Sequence, residues 1–188
     1  MREIDTRLSI DRPAAEFLYE TVCELAPASA IEVGMAWGFS SVPICAALRD
    51  TSGGKSLIFD PFQTETYEGV GLELVRQSGL AGNCVLAEER SDTALPALFK
   101  SGHTTQFAFI DGDHRIDAVI VDFYYINKML KPGGAVVFDD YQFSSVRRVV
   151  NFALAQFHYT LVPQPNARLA MLKRIASDDR GWDHYGDF

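Results

Sequence analysis

Apolar residues along this chain fall into short continuous runs, separated by longer stretches in which they recur every three or four positions. The runs are strand signals and the spaced stretches are helix signals. Pro13 opens the first helix, whose apolar face passes through Phe17, Leu18, Val22 and Leu25 and stops before Pro27. Ala30–Val33 reads as a buried strand broken by Gly34 and Gly38, after which Val42, Ile44, Cys45 and Leu48 share one face of a helix reaching Arg49. The same alternation predicts a strand over 55–60, a helix over 67–78, a strand over 83–87 and a helix over 93–100. A strand over 105–110 follows, then a helix over 116–130, a turn at Lys131–Gly134 and a strand over 135–138. A helix over 144–157 precedes two final strands, 158–162 and 168–174, whose turn at 163–166 predicts an antiparallel edge.

Phe107–Ile110 shows no polar alternation, as expected of a central parallel strand covered on both faces. Strands alternating with helices predict a doubly wound α/β fold with a mostly parallel, seven-stranded sheet and an antiparallel C-terminal hairpin. One domain is expected over 13–176, with a flexible N-terminus over 1–12. The tail over 177–188 is polar, with Trp182, Tyr185 and Phe188 interspersed.

Composition narrows the class. The 188 residues suffice for one core rather than two. The net charge of −8, with no basic patch beyond the pair Arg147-Arg148, argues against nucleic acid as a partner. No run approaches a membrane span, and the first residues lack the apolar core of a signal peptide. Cys23, Cys45 and Cys84 lie scattered in apolar surroundings, as free thiols in a reducing compartment do. A cytoplasmic location is the expectation.

The chemistry concentrates at strand ends. Strand, glycine turn and helix over 30–49 form the arrangement with which open α/β sheets hold nucleotide-like ligands. The spacing is G-x-x-x-G rather than G-x-G-x-x-G, and the lysine of a phosphate loop is missing. Glu32, two residues before Gly34, disfavours a pyrophosphate and suits an ammonium or sulfonium ligand. Asp60 stands where nucleotide folds hold ribose hydroxyls, or serves as a helix cap. Asp111 ends the fourth strand and Asp139-Asp140 the fifth. If these strands neighbour the first, three carboxylates converge and call for a cation. Mg²⁺ suits such a set and would lower the pKa of a bound substrate hydroxyl. His114, three residues past Asp111, is placed to act as general base.

Glu32-Val-Gly-Met-Ala-Trp-Gly-Phe-Ser-Ser41 resembles the first motif of class I S-adenosylmethionine-dependent methyltransferases, in particular the small-molecule O-methyltransferases of the catechol and caffeoyl-CoA type, which carry E-x-G-x-x-x-G-[YF]-S. The resemblance covers about 14–175. It implies S-adenosylmethionine as cofactor, held by Glu32, Gly34, Gly38, Ser40, Asp60 and Asp111, with Ser91 or Asp92 at the adenine amino group. Ser91 and Asp92 read equally well as helix caps. The resemblance also implies Asp111, Asp139 and Asp140 as metal ligands. Asp-Gly-x-His over 111–114 is closer to the sugar-hydroxyl O-methyltransferases of macrolide biosynthesis, where histidine is the base. The adenine-stacking histidine and aromatic of the catechol enzymes are replaced by Gly112 and Asp113, which argues against an aryl diol. Without the long insertions of those enzymes, the acceptor site is open or completed by a second subunit of a homo-oligomer. The expected activity is methyl transfer to a hydroxyl of a small metabolite, assisted by a divalent metal and His114. The alternatives are a metal-independent enzyme of the same fold, a non-catalytic S-adenosylmethionine-binding protein and, with least support, a nicotinamide-dependent oxidoreductase.

Overall fold

The computed structural model describes residues 9–164 and 167–184; Tyr185 and Phe188 of the tail, and most of the segment expected to be flexible at the N-terminus, lie outside them. Helix α1 spans Arg12–Leu25, with the Asp11 carboxylate accepting from the Ala14 N–H at 2.9 Å and Pro13 in its first turn. It ends where Ala26 turns left-handed and its N–H closes on the Val22 carbonyl. The remaining α-helices and strands are β1 Ser29–Val33, α2 Ser41–Asp50, β2 Lys55–Phe59, α3 Val70–Gln77, β3 Cys84–Ala87, α4 Ser91–Lys100, β4 Thr105–Ile110, α5 Ile116–Met129, β5 Leu130–Phe138, α6 Ser144–Gln156, β6 Tyr159–Val162 and β7 Ala170–Arg174.

The sheet has seven strands in the order β3-β2-β1-β4-β5-β7-β6. The first five are parallel, and β7 runs antiparallel between β5 and the edge strand β6. Strand periodicity sorts the continuous apolar runs to two faces. Ala30, Phe107, Phe109, Ala135 and Val137 pack on Ala14, Leu18 and Val22 of α1 and on Ile44 and Leu48 of α2. Ile31, Val33, Ala108, Ile110, Val136 and Phe138 meet Leu95 of α4, Val119 and Phe123 of α5, and Val149 of α6. Both faces are therefore covered, which is why β4 shows no polar alternation.

Two elements differ from the sequence reading. Helix α3 starts at Val70 rather than Tyr67, because Glu68 (φ 53°) and Gly69 (φ 70°) are left-handed and Gly69 closes a turn on the Gln63 carbonyl. The predicted turn at Lys131–Gly134 is absorbed into β5 as an irregularity, with Thr105 opposite Leu130 and then Phe107 opposite Ala135. No helix among the described residues is long and apolar enough to cross a membrane.

Candidate active site

The chain reverses its direction across the sheet between β1 and β4, and open α/β sheets bind ligands beyond the strand ends at such a point. The strand ends are locked there by backbone bonds. Gly34 N–H donates to Phe59, Asp111 N–H to Val33 at 2.9 Å, Asp60 N–H to Ala87 and Asp139 N–H to Ile110 at 3.0 Å. Above them opens a cavity of about 410 Å³, lined among others by Gly34, Asp60, Tyr67, Ser91, Asp92 and Asp111. That volume lies in the range of small-ligand sites.

The glycine turn is built from within. Gly34 has φ 87°, and a Cβ there would lie 2.1 Å from the Asp111 carbonyl oxygen. Only glycine permits β1 and β4 to release their loops this close together. Gly38 (φ 84°) does not reach the cavity; it fits against the Gly71 backbone of α3. Asp60 stands at the cavity wall, but its carboxylate faces the turn. It accepts from the N–H groups of Met35 (2.9 Å), Ala36 (2.8 Å) and Phe62 (2.8 Å) and from Gln63 Nε2. Asp60, expected at the ribose hydroxyls, thus lines the cavity and also fixes the loop that forms its wall.

Glu32 differs from expectation as well. Its side chain is fully buried on the α2 side of the sheet, where Oε1 accepts from Ser40 Oγ (2.6 Å) and Ser41 Oγ (2.9 Å). Ser40 is thereby a partner of Glu32 rather than of the main cavity. Burial pushes the Glu32 carboxyl up to about 8, outweighing the two hydroxyl bonds. The raised pKa favours the uncharged acid over the carboxylate expected to face a cationic ligand. Because the folded value lies above the ordinary 4.5, the protonated fold is favoured at low pH. That stabilisation is lost as pH rises towards 8, on the order of a few kcal/mol. Glu32→Gln keeps an acceptor for both serines and removes the titration. Its melting temperature should match wild type near pH 5 and exceed it by several degrees at pH 8.5. A pH-independent difference between the two proteins would rule this account out.

Ser91 and Asp92 both line the cavity from the first turn of α4. Arg90 is the N-cap residue, and its guanidinium pairs with Asp92 at 2.8 Å on the exposed rim. Asp122 on α5 is a wall residue that sequence reading missed. It is 2% exposed, and burial raises its pKa to about 6. Its helical spacing with Val119, Phe123 and Ile126 on α5 was the available signal.

The acidic cluster forms, though not as the strand ends suggested. Asp111, His114 and Asp140 bring ligand atoms within 4.8 Å of one another. His114 Nε2 lies 3.1 Å from Asp140 Oδ2 and 3.5 Å from Asp111 Oδ1, and neither contact has hydrogen-bond alignment. The imidazole also packs on Phe143, with ring centres 5.4 Å apart. Burial lifts Asp111 to about 7, opposed by its contact with His114. The same contact raises His114, against its own desolvation. Asp140 takes a left-handed backbone (φ 52°) and accepts from Gln142 Nε2 at 2.6 Å. Asp139 is not part of this group. Its fully buried carboxylate is gripped by Arg168, with Nε to Oδ1 at 2.6 Å and Nη2 to Oδ2 at 2.5 Å. Asp139, expected as a metal ligand, here has both oxygens taken by a guanidinium. Arg168 reaches it because the β5–β7 pairing continues past Phe138↔Ala170 to a bond from Tyr141 N–H to the Arg168 carbonyl. That register is invisible in sequence.

Known proteins share this architecture. A family model described as a methyltransferase domain matches residues 31–141. The O-methyltransferase TomG from Streptomyces achromogenes, solved with S-adenosylmethionine, is 17% identical and superposes with a TM-score of 0.76 over 90% of this chain and 82% of its own. An O-methyltransferase from Bacillus cereus, in complex with S-adenosylhomocysteine, gives 16%, 0.73, 87% and 81%. The S-adenosylhomocysteine-bound methyltransferase PaMTH1 of Podospora anserina gives 12%, 0.76, 92% and 82%. No curated protein sequence matches.

Proposed function

The chain belongs to the methyltransferase-domain family, and from this footing we propose that it transfers the methyl group of S-adenosylmethionine to a hydroxyl of a small metabolite. One observation carries the reading. The cavity at the sheet's crossing point and the Asp111–His114–Asp140 cluster share Asp111 as a common wall, so a donor and an acceptor could meet across it. The cavity fits an adenosine-sized ligand in volume, and Gly34 lets one approach the backbone closely. S-adenosylmethionine supplies an activated methyl on a sulfonium.

The side chains supply position and proton transfer. Methyl transfer is in-line, so holding the two reactants together accounts for much of the acceleration. His114, whose Nε2 is buried between Asp111 and Asp140 while the side chain as a whole is partly exposed, would take the acceptor's proton. Asp111 and Asp140 flank that nitrogen and would favour the imidazolium that forms. A divalent cation fits Asp111 and Asp140 by donor chemistry, because hard cations such as Mg²⁺ favour carboxylate oxygen over imidazole. Bound there, it would supply Lewis-acid activation of the hydroxyl. Asp139 would not take part.

The reading is tested by titrating the purified protein with S-adenosylhomocysteine in a calorimeter, in EDTA and in Mg²⁺. Micromolar affinity is expected, followed by methyl transfer to hydroxyl compounds in an acceptor screen. An absence of binding in both conditions would defeat it. Tight binding with no transfer to any acceptor would favour a cofactor-binding protein without catalysis.

A further inference from the structure

We propose that Arg168 is the resident counter-cation of the strand-end carboxylates, excluding Asp139 from any metal site and leaving the centre able to stand without a metal. The metal part of this inference rests on the methyltransferase reading above; the ion pairing rests on geometry alone. Three carboxylates at adjoining strand ends, with Asp139 and Asp140 largely buried, repel one another unless positive charge sits among them. Arg168 is that charge. Its guanidinium meets Asp139 in a two-pronged pair at 2.5 and 2.6 Å, and its Nε also lies 3.7 Å from Asp140 Oδ1.

Beyond the Asp139 pair, the arginine is held by two further bonds among the described residues. Its Nη1 donates to the Ser9 carbonyl at 3.1 Å, and its own carbonyl receives the Tyr141 N–H at 2.8 Å. The Asp139 side chain is fully shielded, while that of Arg168 is 24% exposed. A divalent ion approaching Asp139 would therefore have to displace a pre-organised fork or sit beside a like charge. The same ion could still approach Asp140, whose second oxygen faces His114. The arrangement thus separates two neighbouring aspartates by role: Asp139 anchors Arg168, and Asp140 faces the centre.

The test uses the full chain stripped with EDTA and titrated with Mn²⁺ by calorimetry and by the Mn²⁺ electron paramagnetic signal. The charge-removing variant is Arg168→Gln; the double variant Asp139→Asn/Arg168→Gln exchanges a charged pair for a neutral one of similar shape. Wild type should bind Mn²⁺ weakly, with a melting temperature indifferent to the ion. Arg168→Gln should bind at least about ten-fold more tightly and recover lost melting temperature when Mn²⁺ is added. The double variant should keep wild-type affinity. Either an Arg168→Gln affinity no higher than wild type, or a ten-fold drop in the double variant, overturns the proposal. If Arg168→Gln does not fold, the double variant decides alone, because a true Asp139 ligand could not be lost without cost. Titration of wild type with S-adenosylhomocysteine runs alongside. Its failure would remove the methyltransferase reading and leave the Arg168 result standing.

Discussion

Gly34→Ala should lower the melting temperature by about 10 °C or more and abolish S-adenosylhomocysteine binding. Two penalties coincide at this residue. A φ of 87° puts a side chain in the left-handed region, at a cost of about 1–2 kcal/mol. The added Cβ would also lie 2.1 Å from the Asp111 carbonyl oxygen and 2.8 Å from its carbon, both backbone atoms that no rotamer change can clear. Relief requires β1 and β4 to part at their ends, where Asp111 N–H is bonded to Val33. Losses above about 4 kcal/mol arise from such a mechanism, and in a domain of this size each kcal/mol moves the midpoint by about 2–4 °C. Gly53→Ala is the matched control. It also has positive φ (66°) but meets nothing within 4 Å, so only the conformational part applies. Equal melting temperatures for the two variants would show that the close approach at Gly34 is not what the fold depends on.

His114→Ala should reduce the rate of methyl transfer by about 10²- to 10⁴-fold, the range ascribed to a positioned general base. S-adenosylhomocysteine affinity should stay within a few-fold of wild type, since His114 does not line the main cavity. The side chain is 37% exposed and packs on Phe143. The stability cost is accordingly expected near 1 kcal/mol. The measurement is single-turnover methyl transfer at saturating donor, with His114→Gln as a second variant that keeps polarity without basicity. Wild-type rates in both variants would remove His114 from the proton-transfer role. A parallel collapse of rate and donor affinity would make it a structural residue of the 111–115 loop.

Much of the architecture was legible along the chain. Continuous runs such as Phe107–Ile110 and Ala135–Phe138 can be stable only between two helical layers, so they forecast a parallel sheet directly. Gly34 could be recognised as part of a strand-to-helix turn from the apolar strand before it and the helical spacing after it; the close approach to Asp111 that demands glycine could not. The cluster was half legible. Asp111 and His114 are three residues apart in one loop, and Asp140 follows the next parallel strand, so strand neighbourhood alone brings them together.

The direction of individual side chains was not legible. Glu32, Asp60 and Asp139 all have partners inside the protein that the sequence does not announce: Ser40 and Ser41, the Met35–Ala36 turn, and Arg168. A buried carboxylate must find donors wherever they are, and burial is a property of the assembled fold.

The chain's own pattern determined the order of strands and helices, the two-faced core, the glycine turn and the loops that carry acids, because local periodicity and backbone sterics act over a few residues. Tertiary structure decided which acid meets which cation. Arg168 lies 29 residues from Asp139 and reaches it only through the antiparallel register of β5 with β7, a pairing set by long-range packing that no local signal encodes.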